Sequence, residues 1–155
     1  MDSIADKGLL ILLGSGDAQY QNFLLELAGE NSNFIFLQGY SDTLSHALYQ
    51  SGDLFLMPSS FEPCGISQML AMRAGQPCIV HGVGGLNDTV IDGVSGFVFR
   101  GDSDREQGLS LIKRFNDALT LSVEEPKKFS STAKAAARAR FTWASVAEQY
   151  LEKLY

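Results

Sequence analysis

The sequence predicts an α/β fold in which helices cover both faces of an open, mostly parallel sheet. Short apolar runs, typical of buried strands, alternate with segments whose apolar residues recur at helical spacing. Turn residues separate them, and the intervals match βαβ units, whose crossover helices cover a parallel sheet. With 155 residues, the chain is long enough to bury its own core, and we expect a single domain over residues 1–155.

The first half of the chain gives three strands and two helices. Apolar residues 9–13 end at the Gly14–Asp17 turn, which predicts a strand. A helix follows and is interrupted at residues 31–33 before a second strand at 34–37, and a further helix leads to a third strand, Asp53–Met57, that Pro58 stops. The helical stripes are Phe23, Leu24, Leu27 and Ala28 in the first helix, and Leu44, Ala47 and Leu48 in the second.

The second half predicts two more strands and then only helices. A loop from Pro58 leads into a helix over Ile66–Ala74, and strands follow at Pro77–Val80 and Gly96–Phe99, with a flexible loop at residues 82–85 between them. Three further helices complete the chain. Their stripes are Leu111, Ile112, Phe115 and Leu119 in the first, Ala133, Ala136, Ala137 and Arg140 in the second, and Trp143, Val146, Ala147, Tyr150, Leu151 and Leu154 in the third. We expect the stripe of the third helix to be part of the core.

Composition excludes several classes of partner. The chain has 12 Lys and Arg against 18 Asp and Glu, a net charge of −6, and no segment dense in basic residues, so we expect neither nucleic acid nor a membrane as partner. The longest apolar run, Leu9–Leu13, is too short to span a bilayer, and the start of the sequence does not resemble a signal peptide. The two cysteines show no metal-ligand spacing, and we expect no metal site.

Ligands of such sheets bind in loops at the carboxyl ends of the strands. The Gly14–Asp17 loop has the pattern G-x-G, without the third glycine of a dinucleotide fingerprint or the lysine of a P-loop. It either contacts a ligand or forms a tight turn with Asp17 near a helix start. Tyr40, after the second strand, either stacks on a base or packs against the protein.

The loop over residues 62–67 is the strongest candidate. Gly65 lets the backbone approach a ligand, and Ser67 lies where the next helix starts, where a hydroxyl and free N–H groups bind anions. Glu62 can accept hydrogen bonds from hydroxyls a few residues away. A phosphate beside a hydroxyl acceptor suits a nucleotide sugar. The alternative is a solvated Glu62 and a Ser67 that only caps the helix.

Three other features are less specific. The glycine-rich loop with Gly84 and Gly85 either donates backbone N–H groups to a ligand or turns sharply. Cys64 lacks the partners of a nucleophile and is expected to line the ligand site or be structural. We expect His46 to be half-exposed on its helix and treat His81 as a candidate wall of the site.

At these residues the chain resembles the C-terminal half of bacterial glycogen synthases and plant starch synthases, glycosyltransferase family 5. A second glutamate found in related sucrose and trehalose enzymes is replaced by Leu70 here, as in the glycogen and starch synthases. The resemblance implies a Rossmann-like sheet, one half of a two-domain B-type glycosyltransferase fold. The segments that carry it are Leu13–Asp17, Met57–Gly65, Gly84–Val90, Gly96–Phe99 and Phe141–Trp143.

The resemblance implies transfer of glucose from ADP-glucose, or less often UDP-glucose, to the non-reducing 4-OH of an α-1,4-glucan with retained configuration. Glu62 would be the catalytic group, hydrogen-bonding glucose hydroxyls in the transition state, with electrostatic support of the leaving diphosphate and no cofactor. The implied nucleotide-sugar-binding residues are Tyr40 on the base, Ser67 on a phosphate, the backbone around Cys64, Gly65 and Ile66, and the glycines Gly14, Gly16, Gly84 and Gly85.

The chain also departs from that family. Members are much longer, with an N-terminal acceptor domain through which the glucan binds, and this sequence contains none of it. Lys7-Gly8 resembles the family's diphosphate clamp but lies too close to Gly14 for the intervening helix, so we assign no clamp to Lys7. We expect no transferase activity from the chain alone.

The departure also bears on the sheet. The family's first strand, central between the strands at Leu9–Leu13 and Asp53–Met57, is missing. Either those strands pair directly, or another molecule fills the gap by self-association through the unpaired edge, or the N-terminal end is partly disordered.

The sequence leaves alternatives open for both the function and the location of the protein. The chain is expected to be the nucleotide-sugar-binding part of a synthase, and the alternative is a stand-alone nucleotide- or glucan-binding regulatory module. The expected location is the cytoplasm, or the plastid stroma in a plant. In the family the extreme C-terminus packs on the other domain, which implies that Tyr150 and Tyr155 are partly exposed here.

Overall fold

The computed structural model describes residues 8–139 and 141–154. Strands and helices alternate over the first two thirds of the chain, and three helices complete it. In chain order the elements are β1 (Leu10–Gly14), α1 (Ala18–Glu30), β2 (Phe34–Gln38), α2 (Asp42–Ser51), β3 (Phe55–Met57), α3 (Ser67–Arg73), β4 (Cys78–His81), α4 (Gly84–Thr89), β5 (Gly96–Phe99), α5 (Asp104–Glu124), α6 (Pro126–Arg138) and α7 (Trp143–Leu154).

The chain divides into two compact units, with the boundary between Leu48 and Tyr49, inside α2. In the first unit, β1 and β2 pair in parallel, with Leu10 opposite Phe34. Helix α1, which connects them, begins after Asp17, whose carboxylate accepts a hydrogen bond from the Gln19 N–H at 2.8 Å. Asp17 is therefore a side-chain N-cap, as expected for a turn into a helix, and contact of the Gly14–Asp17 loop with a ligand stays a prediction.

The second unit contains a parallel sheet in the order β3-β4-β5. Successive residues of its strands point to opposite faces, so Val80 lies in one hydrophobic cluster and its neighbour Ile79 in the other. The first cluster includes residues of α3, α4 and α6, and the second includes Ala118 of α5. Helices therefore cover both faces of this sheet, as the sequence predicts.

All described strands pair in parallel, which confirms the predicted fold class. They form two sheets, and β1 and β3 belong to different ones. Direct pairing of β1 with β3, one of the three arrangements expected from the sequence, is therefore not found among the described strands.

Two expectations about local structure are wrong. The flexible loop expected at residues 82–85 instead leads into a short helix, because Gly84 and Gly85 are the first residues of α4. The apolar stripe of α7 is not core: Trp143 is 90% exposed, and Tyr150 and Leu154 are also exposed. The exposure expected for Tyr150 is confirmed, whereas Lys7, Arg140 and Tyr155 lie outside the described residues.

Candidate functional site

The loop between β3 and α3 lies against the start of α4, at the carboxyl edge of the three-stranded sheet. The Gly85 N–H donates a hydrogen bond to the Glu62 carbonyl at 3.1 Å. The side chain of Glu62 is half-buried and that of Phe61 is exposed. The structure thus brings together two of the loops that the sequence singles out, around a half-buried carboxylate.

Three glycines make this close approach possible. A Cβ at Gly84 would lie 1.9 Å from the Glu62 carbonyl oxygen, and one at Gly85 would lie 2.4 Å from the Cys64 carbonyl oxygen. Gly65 has φ +77°, in the left-handed region that disfavours side chains. Backbone packing against the loop therefore accounts for Gly84 and Gly85, the left-handed φ accounts for Gly65, and contact of all three with a ligand stays a prediction.

A buried side chain, Gln68, connects the loop between β3 and α3 to helix α4. It lies on α3 and is fully buried. Its side-chain Nε2 lies within hydrogen-bond distance of three acceptors, the carbonyls of Gly65 at 2.9 Å and Cys64 at 3.2 Å and the Thr89 hydroxyl of α4 at 3.2 Å, and shares its two hydrogens among them. The side-chain amide thereby holds the loop and α4 together.

Helix α3 begins at Ser67, but Ser67 is not its N-cap. Ile66 occupies the N-cap position with no side-chain hydrogen bond and is exposed. The capping alternative for Ser67 is therefore wrong. The Leu70 N–H bonds to the Ile66 carbonyl at 3.0 Å, so the N–H groups that precede it are not used inside the helix.

The two cysteines have opposite environments. Cys64 is exposed in the loop, as a residue that lines a site would be. Cys78 is buried at the start of β4, and desolvation raises the pKa of its thiol to about 12. Only Cys64 is available to a ligand or reagent.

The two histidines also differ in environment. His81 is buried at the end of β4, where it stacks on Phe99 with ring centroids 4.9 Å apart. Its Nδ1 lies 3.0 Å from the Ser59 carbonyl oxygen. His81 therefore supports the loop from inside rather than forming an open wall of a site. His46, expected to be half-exposed, is exposed.

A positive charge lies beside the turn that leads into α4. The guanidinium of Arg100 donates to the Asn87 side-chain oxygen at 2.6 Å. A Cβ at Gly82 would lie 2.3 Å from Arg100 Nη1, so the guanidinium passes directly over that glycine. Arg100 follows β5 and is exposed.

The first unit holds the remaining predicted residues. The Gly39 N–H donates to the Gly14 carbonyl at 2.9 Å, which places the start of the first loop beside the residue that precedes Tyr40. Tyr40 is 83% exposed, and its hydroxyl donates to the Asp42 carboxylate. A Cβ at Gly16 would meet nothing within 4 Å. The exposure of Tyr40 therefore contradicts the packing alternative, and a contact with a base stays a prediction.

Sequence reasoning missed Gln68 and Thr89 as parts of the site. A signal for Gln68 was present: it lies three and four positions before Ala71 and Met72, which are buried, so a polar residue stands on the apolar face of a helix. The role of Thr89 depends on the long-range contact with α3 and has no local signal.

Comparison with known proteins decides the family. Residues 4–136 match the family described as glycosyl transferases group 1. The chain belongs to this family of glycosyltransferases. The match extends over most of both compact units and includes every loop considered above, and it ends before α7.

Individual relatives agree with the resemblance seen in the sequence. The chain is 34% identical to a glycogen synthase of Photobacterium profundum over 158 residues, which is 97% of this chain and 30% of the relative. Over 83 residues, or 53% of the chain and 17% of the relative, it is 52% identical to a glycogen synthase of Hydrogenobaculum sp.. The chain therefore spans about a third or less of the length of the curated relatives it matches.

Solved structures share the fold. The catalytic domain of starch synthase IV from Arabidopsis thaliana, bound to ADP and acarbose, superposes with a TM-score of 0.76 at 30% identity, over 94% of this chain and 31% of that one. HepE of Anabaena in complex with UDP-glucose gives a TM-score of 0.69 at 25% identity, over 99% of this chain and 43% of that one. The fold is that of a glycosyltransferase domain of the glycogen and starch synthase type.

Membrane spans and metal clusters do not occur among the described residues. Within 8–139 and 141–154, no helix has the length and hydropathy needed to cross a membrane. In the same residues, no group of three or more His, Cys, Asp or Glu side chains is placed to hold a metal ion.

Proposed function

We propose that this chain is the donor-binding part of a retaining glycogen or starch synthase. The observation that carries the proposal is the Glu62–Gly65 loop, held against α4 in a chain of the glycosyl transferases group 1 family. The glycogen synthases among its relatives and the starch synthase of known structure support that class of reaction. The reaction transfers glucose to the non-reducing 4-OH of an α-1,4-glucan with retained configuration.

ADP-glucose is the preferred donor in this proposal, with UDP-glucose as the second candidate. The starch synthase structure contains ADP, and it is more similar to this chain than HepE, whose structure contains UDP-glucose. Tyr40, exposed on the first unit, contacts the base in this proposal, and Gly14, Gly16, Gly84 and Gly85 are proposed as further donor-binding residues.

Glu62 is the proposed catalytic group. Its half-buried carboxylate accepts hydrogen bonds from glucose hydroxyls, which become stronger as the glucosyl group gains positive charge in the transition state. The backbone around Cys64, Gly65 and Ile66, with Ser67, binds the sugar and phosphates. No metal or cofactor takes part in the proposal.

Calorimetric or NMR titration of the chain with ADP-glucose, UDP-glucose, ADP and UDP tests the proposal. We expect Glu62→Gln to weaken ADP-glucose binding and to leave ADP binding unchanged, because the carboxylate contacts only the sugar. Glu30→Gln, on exposed α1, is the matched control. Equal losses for ADP and ADP-glucose would contradict the role of Glu62.

A second pair of variants tests the base contact. Tyr40→Ala should lower the affinity for all four ligands by roughly tenfold or more, the usual effect of losing one aromatic stacking contact. Tyr20→Ala, another exposed tyrosine of the first unit, should leave the affinities unchanged. Binding of none of the four ligands at millimolar concentration would refute the proposed function.

The chain alone is proposed to bind donor without elongating glucan. It spans about a third or less of its relatives, and the acceptor is proposed to bind through the part outside that span. Incubation of the purified chain with ADP-glucose and a linear α-1,4-glucan tests this. Measurable elongation would show that the chain is sufficient for transfer.

A further inference from the structure

The hydrogen bonds of Gln68 fix the direction of two peptide groups in the loop. Its side-chain amide is fully buried and donates to the carbonyls of Cys64 and Gly65. Its Oε1 is also buried and has no hydrogen-bond partner among the described residues. The unpaired Oε1 costs free energy, and the hydrogen bonds donated by Nε2 offset that cost.

The orientation of the amide is determined by its surroundings. The Thr89 hydroxyl donates its own hydrogen to the Gly85 carbonyl at 2.9 Å, so it can only accept from Gln68. Exchanging Oε1 and Nε2 would place an oxygen against two carbonyls and this hydroxyl. Nε2 therefore faces the loop, and the two carbonyls turn inward toward it.

Because the peptide bonds are planar and trans, the inward direction of these two carbonyls fixes an outward direction for the N–H groups that follow them. The structure contains no cis peptide bond among its described residues. In a trans peptide the N–H points opposite to the carbonyl of the preceding residue. Because the carbonyls of Cys64 and Gly65 face the buried amide, the N–H groups of Gly65 and Ile66 point away from it, on the side where Cys64 and Ile66 are exposed.

We propose that Gln68 is a positioning residue that aims the N–H groups of Gly65 and Ile66 at the bound nucleotide sugar. This inference rests on the proposed function, since it names how the donor-binding loop is held. Gln68 touches no ligand itself. Through Thr89 it also keeps the loop in register with α4, so the two elements move as one body.

Two variants of Gln68 and one control test the role. Gln68→Met keeps the length and burial of the side chain but removes both donors. Gln68→Glu places oxygens against the loop carbonyls and regains one donor only when protonated. Gln76→Met is the matched control, because Gln76 is also a buried glutamine, whose Nε2 donates to the Tyr49 carbonyl at 2.7 Å at the opposite, amino edge of the sheet.

The first readout needs no ligand. Backbone ¹⁵N order parameters of Gly65 and Ile66 should be near 0.85 in the wild-type chain and fall below about 0.6 in Gln68→Met. In Gln76→Met they should keep the wild-type values. Unchanged order parameters in Gln68→Met would overturn the inference.

The second readout is ADP-glucose affinity as a function of pH. Gln68→Met should bind about tenfold more weakly than wild type, by the same factor at each pH. Burial and the facing oxygens raise the pKa of the carboxyl group that Gln68→Glu introduces. The deficit of Gln68→Glu relative to wild type should therefore shrink as pH falls from about 8.5 to about 5.5.

The groups near position 68 must be considered in that profile. The side chain faces the Cys64 and Gly65 carbonyls and the Thr89 hydroxyl, none of which titrates, while the Cys64 thiol is common to variant and wild type. Cys78 contacts the Gln68 carbonyl at 3.5 Å, and because burial raises the pKa of Cys78 to about 12, it stays a thiol throughout.

The outcomes separate the inference from the proposed function. Mobile loop amides with unchanged affinity, or a deficit in Gln68→Glu that does not depend on pH, would overturn the positioning role. Absence of binding in the wild-type chain would refute the proposed function and the ligand part of the inference, and the order parameters would then decide the backbone part alone. If Gln68→Met does not fold, the pH dependence of the ADP-glucose affinity of Gln68→Glu tests the positioning role, because it compares two protonation states of the same folded variant.

Discussion

Replacing Gly85 by alanine tests whether stability and ligand binding require the close approach of α4 to the Glu62–Gly65 loop. Gly85 is buried, and its φ lies outside the left-handed region, so the added methyl group introduces no backbone strain of its own. The methyl carbon would lie 2.4 Å from the Cys64 carbonyl oxygen and 2.6 Å from Cys64 Cα. The whole effect must therefore come from steric contact between the two backbones.

The structure gives the size of the displacement. Cβ contacts essentially never fall below 3.0 Å, so the loop must move by at least 3.0 − 2.4 = 0.6 Å. A displacement of 0.6 Å lengthens the bond from the Gly85 N–H to the Glu62 carbonyl from 3.1 Å to at most 3.1 + 0.6 = 3.7 Å, a value reached when the loop moves along that bond, and so weakens or breaks it. Overpacking and one weakened or lost hydrogen bond together predict a loss of about 1–3 kcal/mol in the free energy of unfolding.

Urea denaturation followed by circular dichroism measures the loss, and a nucleotide-sugar titration measures the effect on the site. We expect a lower midpoint and weaker ADP-glucose binding for Gly85→Ala. Gly108→Ala is the matched control: it lies inside α5 with nothing within 4 Å of the added methyl, and should stabilise by about 0.5–1 kcal/mol. A wild-type midpoint for Gly85→Ala would refute the reasoning.

Three further outcomes follow from other contacts. Asp92→Ala should lower the free energy of unfolding by about 1–2 kcal/mol, because Asp92 accepts from the Val98 N–H at 2.9 Å and pairs with Arg114 at 2.6 Å; a urea midpoint equal to wild type would contradict this. Burial raises the pKa of Cys78 from an ordinary 9.0 to about 12, so the neutral thiol contributes its full stability below pH 9, and this contribution is lost as the pH rises toward 12. The urea midpoint of the wild-type chain should therefore fall between pH 9 and pH 12, and that of Cys78→Ala should fall less. Parallel curves for the two proteins would contradict this prediction. Trp143→Ala should change the free energy of unfolding by less than about 0.5 kcal/mol, since the indole is 90% exposed, and a larger loss would show that α7 packs on the chain.

The sequence predicts most of the strands because each is a short apolar run bounded by turn residues. The run at residues 96–99 coincides with β5, and Pro77–Val80 is one residue from β4. Both strands are buried on both faces, so their apolar character is complete and the pattern is clear. Strand β3 is shorter than predicted, since Asp53 and Leu54 precede the first paired residue.

The loops of the candidate site were recognisable in the sequence, but the contacts that hold them together were not. Glu62, Cys64 and Gly65 stand in a specific local motif, and Gly84 and Gly85 in another. Their mutual contact depends on how two strands pair, which periodicity does not encode. A similar limit applies to α7, because an amphipathic stripe shows that a helix has an apolar face but not what the face contacts.

The parallel pairing of every described strand has a consequence for how the chain acquires its structure. Among the described strands no sheet contact is made by a hairpin: paired residues such as Leu10 and Phe34, 34 − 10 = 24 positions apart, or Cys78 and Gly96, 96 − 78 = 18 apart, are separated in the chain by a helix. Such contacts cost loop-closure entropy before they contribute stability, so folding should be slower than in a helical bundle of equal length. During synthesis, however, both strands of the first unit are made before any strand of the second, so the β1–β2 pair can form first.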